Sequence, residues 1–488
     1  MPAPGKTLPP NRTPPPSADA PSALVRNIRR LLWLYIFLLV IEGALRKWVV
    51  PQLSNPLLLV RDPIVLVIYL LAARAGVWPR NWFMYFLVPL ALLSWITGVL
   101  VLEPYVPMSR VLIVTSYGFR SNFLHLPLIF VFANVFDAED VKKIGWWILL
   151  GMIPMGLIMA LQFHASPDSF INRTVGLGEG EQITAGGGKI RPPGTFSFIS
   201  GPIYYVALAS AFAIFGALSR ATYRNWLLVG SGLSILLAIV VSGSRSLVLS
   251  VLLVVFSLAF VLLLRPDAVN RLGRTLFVIV VASYLITRIP IVQHGLSILS
   301  DRFTESAEVE ETSVTRGLIE RTLGGFTEGL TRINRIPLGG YGLGLGTNVG
   351  ARALVGRVTF LLAENEWSRV LLESGPILGL AFLVWRTALV CRLGALSLGA
   401  LGRAEILPLL LFSAGFIVLL NGQFGQPTSL GFAVVLNGLC LASTRPRKLI
   451  APPLPSTIAP RRPRGRSPYA ERLHRADPTP ATNGSVDR

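Results

Sequence analysis

The stretch WFMYFLVPLALLSWITGVLVL, residues 82–102, decides the fold class of this chain. It includes no charged side chain, and about 20 apolar residues in a helix are enough to cross the hydrocarbon core of a bilayer. Similar runs recur along most of the sequence, and only 14% of the 488 residues are charged, against about 25% in soluble domains. Because lipid offers no hydrogen bonds to the backbone, such runs must form helices. The sequence therefore predicts an all-α polytopic integral membrane protein with about twelve transmembrane helices.

The apolar runs divide the chain into five predicted parts. Pro-rich and basic composition at the two ends indicates disorder, and the two polar stretches between spans are predicted to be loops. In order, the parts are a disordered Pro-rich tail (1–30), a bundle of about nine helices with a polar loop at 164–195 (31–290), a long loop with short helices and a glycine-rich segment (291–368), further transmembrane helices (369–443) and a disordered basic tail (444–488).

Basic residues are concentrated in the two tails and in alternate connections between spans. Of the net charge of +20, residues 1–30 contribute +4 (five basic, one acidic) and residues 444–488 contribute +7 (ten basic, three acidic). Bases beside spans mark the cytoplasmic side and favour anionic headgroups. We therefore expect both termini in the cytoplasm, both polar loops on the opposite, outer side of the membrane, and membrane lipids as partners. Nucleic acid is not expected as a partner, because the tails have almost no aromatic residues among their bases.

The cysteines and histidines form no pattern of metal ligands or disulfides. Cys391 and Cys440 fall at the edge of or within predicted spans, and the four histidines are scattered without metal-ligand spacing. We therefore predict no bound metal and no other cofactor.

Arginines at the ends of spans are the first candidate binding residues. Arg191, in KIRPPGTF, is a candidate phosphate ligand because a guanidinium fork matches phosphate oxygens bidentately. The alternative is an interfacial arginine that extends to lipid headgroups. Arg245, in SGSRS, can likewise bind headgroups or pair with an acid. Arg61 stands beside Asp62, which suggests an ion pair, and Arg120 also lies near a span end.

The long loop at 291–368 is the longest segment that cannot cross the membrane, and it holds nine carboxylates and seven bases. Arg302, in DRF, and Arg316, in TSVTRGLIERTL, are further candidates for binding phosphate. Arg316 would lie in the first turn of a helix predicted to begin at Ser313. The alternative is a surface ion pair of little energetic consequence.

Two motifs follow in the same loop. The glycines of IPLGGYGLGLGTN (336–348) permit close approach of a ligand such as phosphate, although the lysine of a P-loop is missing; a cluster of turns is the alternative. In AENEWSRVLLESG (363–375), Arg369 and Glu373 are one helical turn apart and are expected to neutralise each other. Glu364 and Asn365, at the membrane surface, are expected to meet a substrate.

These motifs, in this order, resemble the O-antigen ligase and O-antigen polymerase superfamily of bacterial envelope glycosyltransferases. The resemblance covers roughly residues 191–380 and consists of RPPGTF, SGSRS, DRF with TR, IPLGGYGLGLG and ENEWSRVLLESGPILG. Asn365, Glu373 and Gly375 match the helix that follows the family's glycine segment. Glu364, however, stands where ligases have a histidine, and this difference favours a polymerase.

The resemblance implies a glycosyltransferase of GT-C-like architecture in the bacterial inner membrane. It would transfer a glycan from polyprenyl (undecaprenyl) pyrophosphate to an acceptor sugar hydroxyl at the periplasmic face, polymerising O-antigen or exopolysaccharide repeat units. Glu364 would act as general base and Asn365 would orient a sugar, without a metal. The candidates for holding the pyrophosphate are Arg191, Arg316, Arg302 and Arg245.

Other functions are alternatives at this point. The protein is either a polymerase or an O-antigen ligase that attaches polymer to lipid A core, with polysaccharide assembly and export proteins as further partners. A transporter or flippase for lipid-linked sugars explains the spans equally well, but it predicts inverted repeats and broken helices. A non-catalytic scaffold leaves the arginines of the polar loops unexplained.

Overall fold

The computed structural model describes residues 23–175, 184–186, 188–219, 222–264, 330–331, 333–356 and 361–445, together with positions 293 and 297. Most of both predicted tails, the last part of the predicted nine-helix bundle (265–290), and Arg302 and Arg316 lie outside the described residues.

The described chain is mostly helical. Its α-helices are α1 (Ala23–Ala44), α2 (Ser54–Leu58), α3 (Arg61–Arg74), α4 (Trp82–Leu102), α5 (Met108–Phe119), α6 (Leu128–Val135), α7 (Ala138–His164), α8 (Ser200–Leu218), α9 (Asn225–Val241), α10 (Arg245–Leu264), α11 (Asn348–Val355), α12 (Glu366–Gly402), α13 (Leu407–Asn421) and α14 (Pro427–Ser443).

Six helical segments in the described residues are long and apolar enough to cross a membrane. They are Pro51–Arg74, Trp82–Leu102, Ala138–His164, Ser200–Leu218, Arg245–Leu262 and Glu366–Gly402. Three shorter apolar helices are α9, α13 and α14. This is the composition of an α-helical membrane protein, as the sequence predicts.

Polar residues at helix starts supply the caps that local chemistry requires. Asn81 accepts a hydrogen bond from Met84 N at the start of α4, and Asp137 with Asp140 forms a reciprocal capping box at the start of α7. Asn365 caps α12 in the same way. These caps satisfy backbone N–H groups that a helix leaves without partners at its N-terminus.

Two local features differ from the prediction. The polar loop predicted at 164–195 contains a short antiparallel hairpin, formed by β1 (Thr184–Gly186) and β2 (Lys189–Ile190). The sequence also predicts a turn over 391–405, whereas α12 continues to Gly402. Leu393, Ser397, Ala400 and Leu401 are buried at helical spacing, and α12 packs against α13 and α14, so tertiary packing outweighs the low helix propensity of glycine here.

Helix α14 lies within the bundle and is buried on nearly all faces. It packs against α13, α6 and α8. Small residues allow this close approach: a Cβ at Gly438 would lie 2.9 Å from the Phe132 side chain of α6, and one at Gly415 would lie 2.9 Å from Leu436. Without a hydrophobic driving force between helices in lipid, small residues at contacts are what permit tight packing.

The glycine segment at 336–348 is folded into the bundle. Leu343 is fully buried, and a Cβ at Gly118 of α5 would lie 2.5 Å from Gly344 N. Helix α12 is interrupted at Gly375 (φ 78°, ψ 172°), and the carbonyls of Leu372 and Glu373 accept hydrogen bonds from this segment (2.7 and 3.1 Å). Irregular backbone within a membrane protein is tolerated where protein buries it, and here each irregular piece satisfies the other.

Candidate functional site

The segment RPPGTFS (191–197) packs against the C-terminal end of α1. Gly43 makes the contact possible, because a side chain there would collide with the backbone of the segment. Thr195 donates its hydroxyl hydrogen to a carbonyl of α1 (2.7 Å), and Lys47 Nζ donates to Gly194 O (2.7 Å). The two hydrogen bonds join residues that are 155 and 147 positions apart in the sequence. The two remote segments therefore form one polar surface.

Five buried charged side chains and the partly buried Asp62 lie beside this contact. We call them the cationic cluster, which consists of Glu42, Arg46, Lys47, Arg61, Asp62 and Arg120. Its four cations are each exposed by 9% or less. The cluster holds two carboxylates, so its formal charge is positive.

The ion pairs of the cluster connect different helices. Arg61 Nε lies 3.1 Å from Glu42 Oε2, and Arg46 Nη1 lies 3.4 Å from Glu42 Oε1. Arg120 Nε lies 2.6 Å from Asp62 Oδ2. The ion pair that the sequence suggests between Arg61 and Asp62 is therefore replaced by two pairs with residues of other elements. Neighbouring positions on a helix do not face each other, which is why adjacency is a poor guide here.

His125 and Tyr35 hold Asp62 in place. His125 Nε2 lies 2.9 Å from Asp62 Oδ1, and its Nδ1 lies 2.9 Å from the Tyr35 hydroxyl. The tautomer with its proton on Nε2 donates to Asp62 and accepts from Tyr35, so all three groups are satisfied. These two hydrogen bonds fix the Asp62 carboxylate in the orientation in which it pairs with Arg120.

Two π-helical turns carry most of the cations. Leu45–Val49 follows α1 and contains Arg46, Lys47 and Trp48, and Arg120–Leu124 follows α5. A π-helical turn widens the helix by one residue and is found frequently at functional sites. Both turns lie at the ends of helices that meet in the cationic cluster.

A second buried network lies on α12. Arg369 pairs with Glu373 (2.7 Å), as the sequence predicts, and also with Glu366 (2.9 Å). Arg386 Nη1 lies 2.8 Å from Glu366 Oε1. Asn122, from the π-helical turn after α5, accepts from Arg369 (2.8 Å). Two carboxylates balance two guanidinium groups, so we call this set the balanced network.

Glu364 and Asn365 lie at the start of α12. The Glu364 side chain is exposed. Asn365 Oδ1 caps the helix by accepting from Trp367 N (3.0 Å), while its Nδ2 is buried and has no hydrogen-bond partner within the described part of the chain. Asn365 therefore combines a structural acceptor with an unused donor beside an exposed carboxylate.

A chain of amides links this helix start to the start of α8. Gln423 Nε2 donates to Glu364 O (2.8 Å), and Gln426 Nε2 donates to Gln423 Oε1 (2.6 Å). Ser200, three residues after the RPPGTFS segment, donates to Gln426 Oε1 (3.1 Å). Glu364 is thus connected through three polar side chains to the surface beside α1.

The cationic cluster reaches the start of α14, next to this chain of amides. Arg61 Nη2 donates to Pro427 O (2.8 Å), immediately after Gln426, and Arg46 Nη1 approaches Ser197 Oγ at 3.3 Å. The candidate site is therefore the place where several helix termini meet. They are the ends of α1 and α13 and the starts of α3, α8, α12 and α14.

The predicted site residues are distributed as follows. Glu364 and Asn365, at the start of α12, are linked through Gln423, Gln426 and Ser200 to the C-terminal side of the RPPGTFS segment, of which Arg191 is the first residue. Arg245 is the first residue of α10, a helix that packs against α8 and α13. Arg302 and Arg316 lie outside the described residues. In the glycine segment, the Gly346 N–H donates a hydrogen bond to Glu373 Oε1 (2.9 Å). This supports the interpretation of the segment as a packed cluster of turns over its interpretation as a phosphate-binding loop.

Sequence reasoning missed Arg46 and Lys47 as site residues, and it noted Arg120 only as an arginine near the end of a span. They belong to IEGALRKWVVP and YGFRSNFLHLPL, two stretches to which the sequence alone assigned no role. The signal was present, since charged residues at the ends of apolar runs are costly and generally functional. What was missing was the knowledge that the two stretches meet.

Comparison of the sequence with protein-family models and with curated proteins gave no match.

Proposed function

We propose that this chain is a membrane glycosyltransferase that uses a polyprenyl-pyrophosphate-linked glycan as donor and an acceptor sugar hydroxyl as nucleophile. The observation that carries the proposal is the link from Glu364 through Gln423, Gln426 and Ser200 to the RPPGTFS segment. The link ends at the main-chain carbonyl of Glu364, so the start of α12, which carries an exposed carboxylate and the unused Asn365 amide donor, is connected to the segment that packs beside the buried cations. Transfer from a diphosphate needs a base for the acceptor and positive charge for the leaving group.

In the proposed reaction, Glu364 takes the proton of the acceptor hydroxyl, and the oxygen attacks the anomeric carbon. The bond from that carbon to the phosphate oxygen breaks, and polyprenyl pyrophosphate leaves with the electron pair. Attack opposite the leaving group inverts the anomeric configuration. Asn365 Nδ2 would donate to a sugar hydroxyl, and Arg191, with the predicted ligands of the long loop, would stabilise the leaving charge.

The architecture in this proposal has about twelve spans of GT-C-like arrangement in a bacterial inner membrane, with both termini cytoplasmic and the site periplasmic. The six long and three shorter apolar helices support a polytopic chain. The polymerase is favoured over the ligase because Glu364 stands where the resemblance leads to a histidine.

A transporter is the second candidate, because it predicts a broken helix and α12 is broken at Gly375. In transporters, the backbone carbonyls freed at such breaks coordinate ions. Here the carbonyls of Leu372 and Glu373 already accept from Tyr341 N and Gly342 N. The break therefore supports packing of the glycine segment more than ion binding.

The test measures surface-polysaccharide chain length in a deletion strain complemented with wild type, Glu364→Gln or Arg316→Ala. We expect both variants to insert normally and to accumulate single lipid-linked repeats, because one lacks the base and the other a ligand of the leaving group. Glu103→Gln, another exposed carboxylate outside a helix, is the matched control and should give wild-type chains.

Two other results would change the proposal. Long chains that are not attached to lipid A would assign the chain as a ligase. Normal, attached polymer from both variants would contradict the glycosyltransferase mechanism and favour the transporter.

A further inference from the structure

The turn NGQFGQ (421–426), which connects α13 to α14, is docked on α12. Arg386 of α12 is fully buried and donates to one main-chain carbonyl at the end of α13 (2.8 Å) and to one in the turn (3.1 Å). Its guanidinium also lies over the Phe424 ring, 3.8 Å from the ring centroid. Trp367 Nε1 of α12 donates to Leu420 O (3.0 Å). Charge-assisted hydrogen bonds and a cation–π contact therefore fix the turn beside the start of α12.

Two glutamines of this turn, with Ser200, form a chain of hydrogen bonds that we call the amide chain. Gln423 Nε2 donates to the main-chain carbonyl of Glu364 (2.8 Å). Gln426 Nε2 donates to Gln423 Oε1 (2.6 Å), and the Ser200 hydroxyl donates to Gln426 Oε1 (3.1 Å).

The amide chain has a single direction, and Glu364 O sets it. A backbone carbonyl can only accept, so it requires the NH2 group of Gln423. The Oε1 atom of Gln423 then requires a donor, which is the NH2 group of Gln426. The Oε1 atom of Gln426 in turn requires the Ser200 hydroxyl, whose proton can rotate to donate. Each amide therefore has one orientation that satisfies its neighbours.

The peptide that joins Glu364 to Asn365 is held on both sides. Its carbonyl accepts from Gln423, and Asn365 Oδ1 accepts from the backbone N–H of Trp367 (3.0 Å). The Glu364 side chain, in contrast, is exposed. Because the backbone at a residue limits the rotamers of its side chain, it also limits the region that the carboxylate can reach.

The amide chain adds to contacts that already stabilise both elements. Asn365 caps α12, and Arg386 and Trp367 dock the turn, all without the glutamines. Ordering a glutamine side chain costs conformational entropy, so two ordered glutamines that neither cap the helix nor dock the turn indicate another role. What they fix is the orientation of the main chain at Glu364.

We propose that Gln423 and Gln426 are positioning residues that orient the main chain of Glu364, with Gln426 acting through Gln423. The role of Glu364 as base rests on the proposed function, whereas the positioning of its backbone does not. A base must lie within hydrogen-bond reach of the acceptor hydroxyl, and a small displacement of a reacting group lowers the rate strongly. The two glutamines therefore act on the rate of transfer and not on binding of the lipid-linked donor.

Replacement of glutamine by glutamate tests the direction of the amide chain. In Gln426→Glu, an ionised carboxylate faces Gln423 Oε1 and cannot donate, whereas the protonated acid can donate as the amide does. The pKa of glutamate is about 4.3 in water and is raised by burial, so the defect should be full at about pH 8 and smaller at about pH 5. Gln426→Met has no donor at either pH. Gln52→Glu, at an exposed glutamine in the short turn Pro51–Leu53, is the matched control.

The first measurement involves no transfer. A nitroxide label is attached to Glu364→Cys in a Cys391→Ser background, and Cys440 is buried. The hydrogen bond from Gln423 survives this substitution because it is made to the main chain. The mobility of the label is measured by electron paramagnetic resonance on the full-length protein in nanodiscs.

We expect Gln426→Met to increase the mobility of the label at both pH values. Gln426→Glu should increase it at about pH 8 and return toward the unsubstituted protein at about pH 5, while Gln52→Glu should have no effect. Charged groups near the amide chain are the Arg386–Glu366 pair and Arg61, which donates to Pro427 O. They are present in every variant, so the same pH comparison on the unsubstituted protein accounts for their titration.

The second measurement is transfer in proteoliposomes, with the lipid-linked repeat extracted from the deletion strain as the titrated substrate. With Glu364 intact, Gln426→Glu at about pH 8 should lower kcat about tenfold or more and leave KM for the lipid-linked repeat within about twofold of the wild type. The kcat value should recover at the pH at which the label regains its order.

Unchanged label mobility in both Gln426→Met and Gln426→Glu would overturn the proposal. A mobile label with a wild-type kcat would overturn the link between positioning and rate, and a Gln426→Glu defect that persists at low pH would overturn the assigned direction. If the Gln426 variants fail to fold, Gln423→Glu decides by the same pH comparison, since its protonated acid can donate to Glu364 O. Absence of transfer by the wild type, with the expected label mobilities, would contradict the proposed function and leave the positioning role supported.

Discussion

At the scale of single residues, the decisive feature is which buried charges have partners. Arg369 lies between Glu366 and Glu373, and Arg386 donates to a carboxylate and to two backbone carbonyls. These side chains are satisfied by the protein and have a structural role. The cationic cluster is less complete: within the described residues, Arg61 Nη1 and Arg120 Nη1 are buried without a hydrogen-bond partner.

Lys47 provides a prediction about pH. It lies in the π-helical turn after α1, outside the candidate spans, and burial lowers its pKa to about 7. In the unfolded chain its pKa is about 10.4, so between these values the unfolded state binds more protons than the folded state. Stability should therefore rise with pH across this window, by up to about 1.4 kcal/mol per pH unit, and lose this dependence below pH 7.

The measurement is the melting temperature of the detergent-solubilised protein from about pH 6.5 to about pH 9.5, in buffer without phosphate. Lys47→Met should remove the rise. Lys142→Met, which removes a part-exposed lysine paired with Glu139, should retain it. A wild-type profile with no rise over this range would contradict the assignment of Lys47 as a buried, easily deprotonated group.

At the scale of elements, the break in α12 and the glycine segment form one unit. Gly340 (φ 71°) and Gly375 (φ 78°) both have a positive φ angle, and each lies against the backbone of the segment that contains the other. A Cβ on Gly375 would collide with Leu338 O, and one on Gly340 would lie 2.5 Å from Glu373 O. The glycines are needed because two backbones cross here, which is a reason independent of phosphate binding.

Gly375→Ala should destabilise the protein by at least about 1–3 kcal/mol, because it adds left-handed strain to a steric collision. Gly399→Ala in the same helix is the matched control, since a Cβ there meets nothing within 4 Å. Removing a glycine from a helix interior should leave stability unchanged or raise it by up to about 1 kcal/mol. Melting temperatures and detergent-extracted yields compare the two. Equal stability of both variants would contradict this prediction, because it would mean that the two backbone segments can shift to accommodate the added methyl group.

At the scale of the whole molecule, the orientation in the membrane decides which surface meets the donor. The positive-inside rule predicts Arg403 on the cytoplasmic side and Glu364 on the opposite side, which the proposed function takes to be the periplasm. In the structure the two residues lie at opposite ends of α12. Because α12 is long and apolar enough to cross the membrane, its two ends should face different compartments.

A membrane-impermeant maleimide tests this in spheroplasts. In a Cys391→Ser background, Glu364→Cys should react before lysis, and Arg403→Cys should react after lysis alone. Both side chains are exposed, so accessibility within the protein is similar for the two positions. Labelling of Arg403→Cys before lysis, with Glu364→Cys protected, would invert the orientation and place the candidate site in the cytoplasm.

Much of the architecture and part of the site follow from local sequence. Runs such as 82–102 predict helices because an apolar chain in lipid has to satisfy its own backbone. The Arg369–Glu373 pair follows from helical spacing, and Asn365 caps α12 at the position where the charged start of the span was expected. The continuation of α12 to Gly402 was missed because glycine and polar residues resemble a turn, and the packing of this end of the helix against α13 and α14 is set by tertiary structure.

The sequence by itself determined the class of this protein, its apolar helices and the polar segments at their ends, because hydrophobicity and backbone satisfaction act over short distances along the chain. The tertiary structure decided which of those polar segments meet. It joined IEGALRKWVVP to RPPGTFS, paired Arg61 with Glu42 and brought Arg120 to Asp62. Electrostatic complementarity between buried groups depends on distances of a few ångströms between remote residues, and only the packed bundle sets those distances.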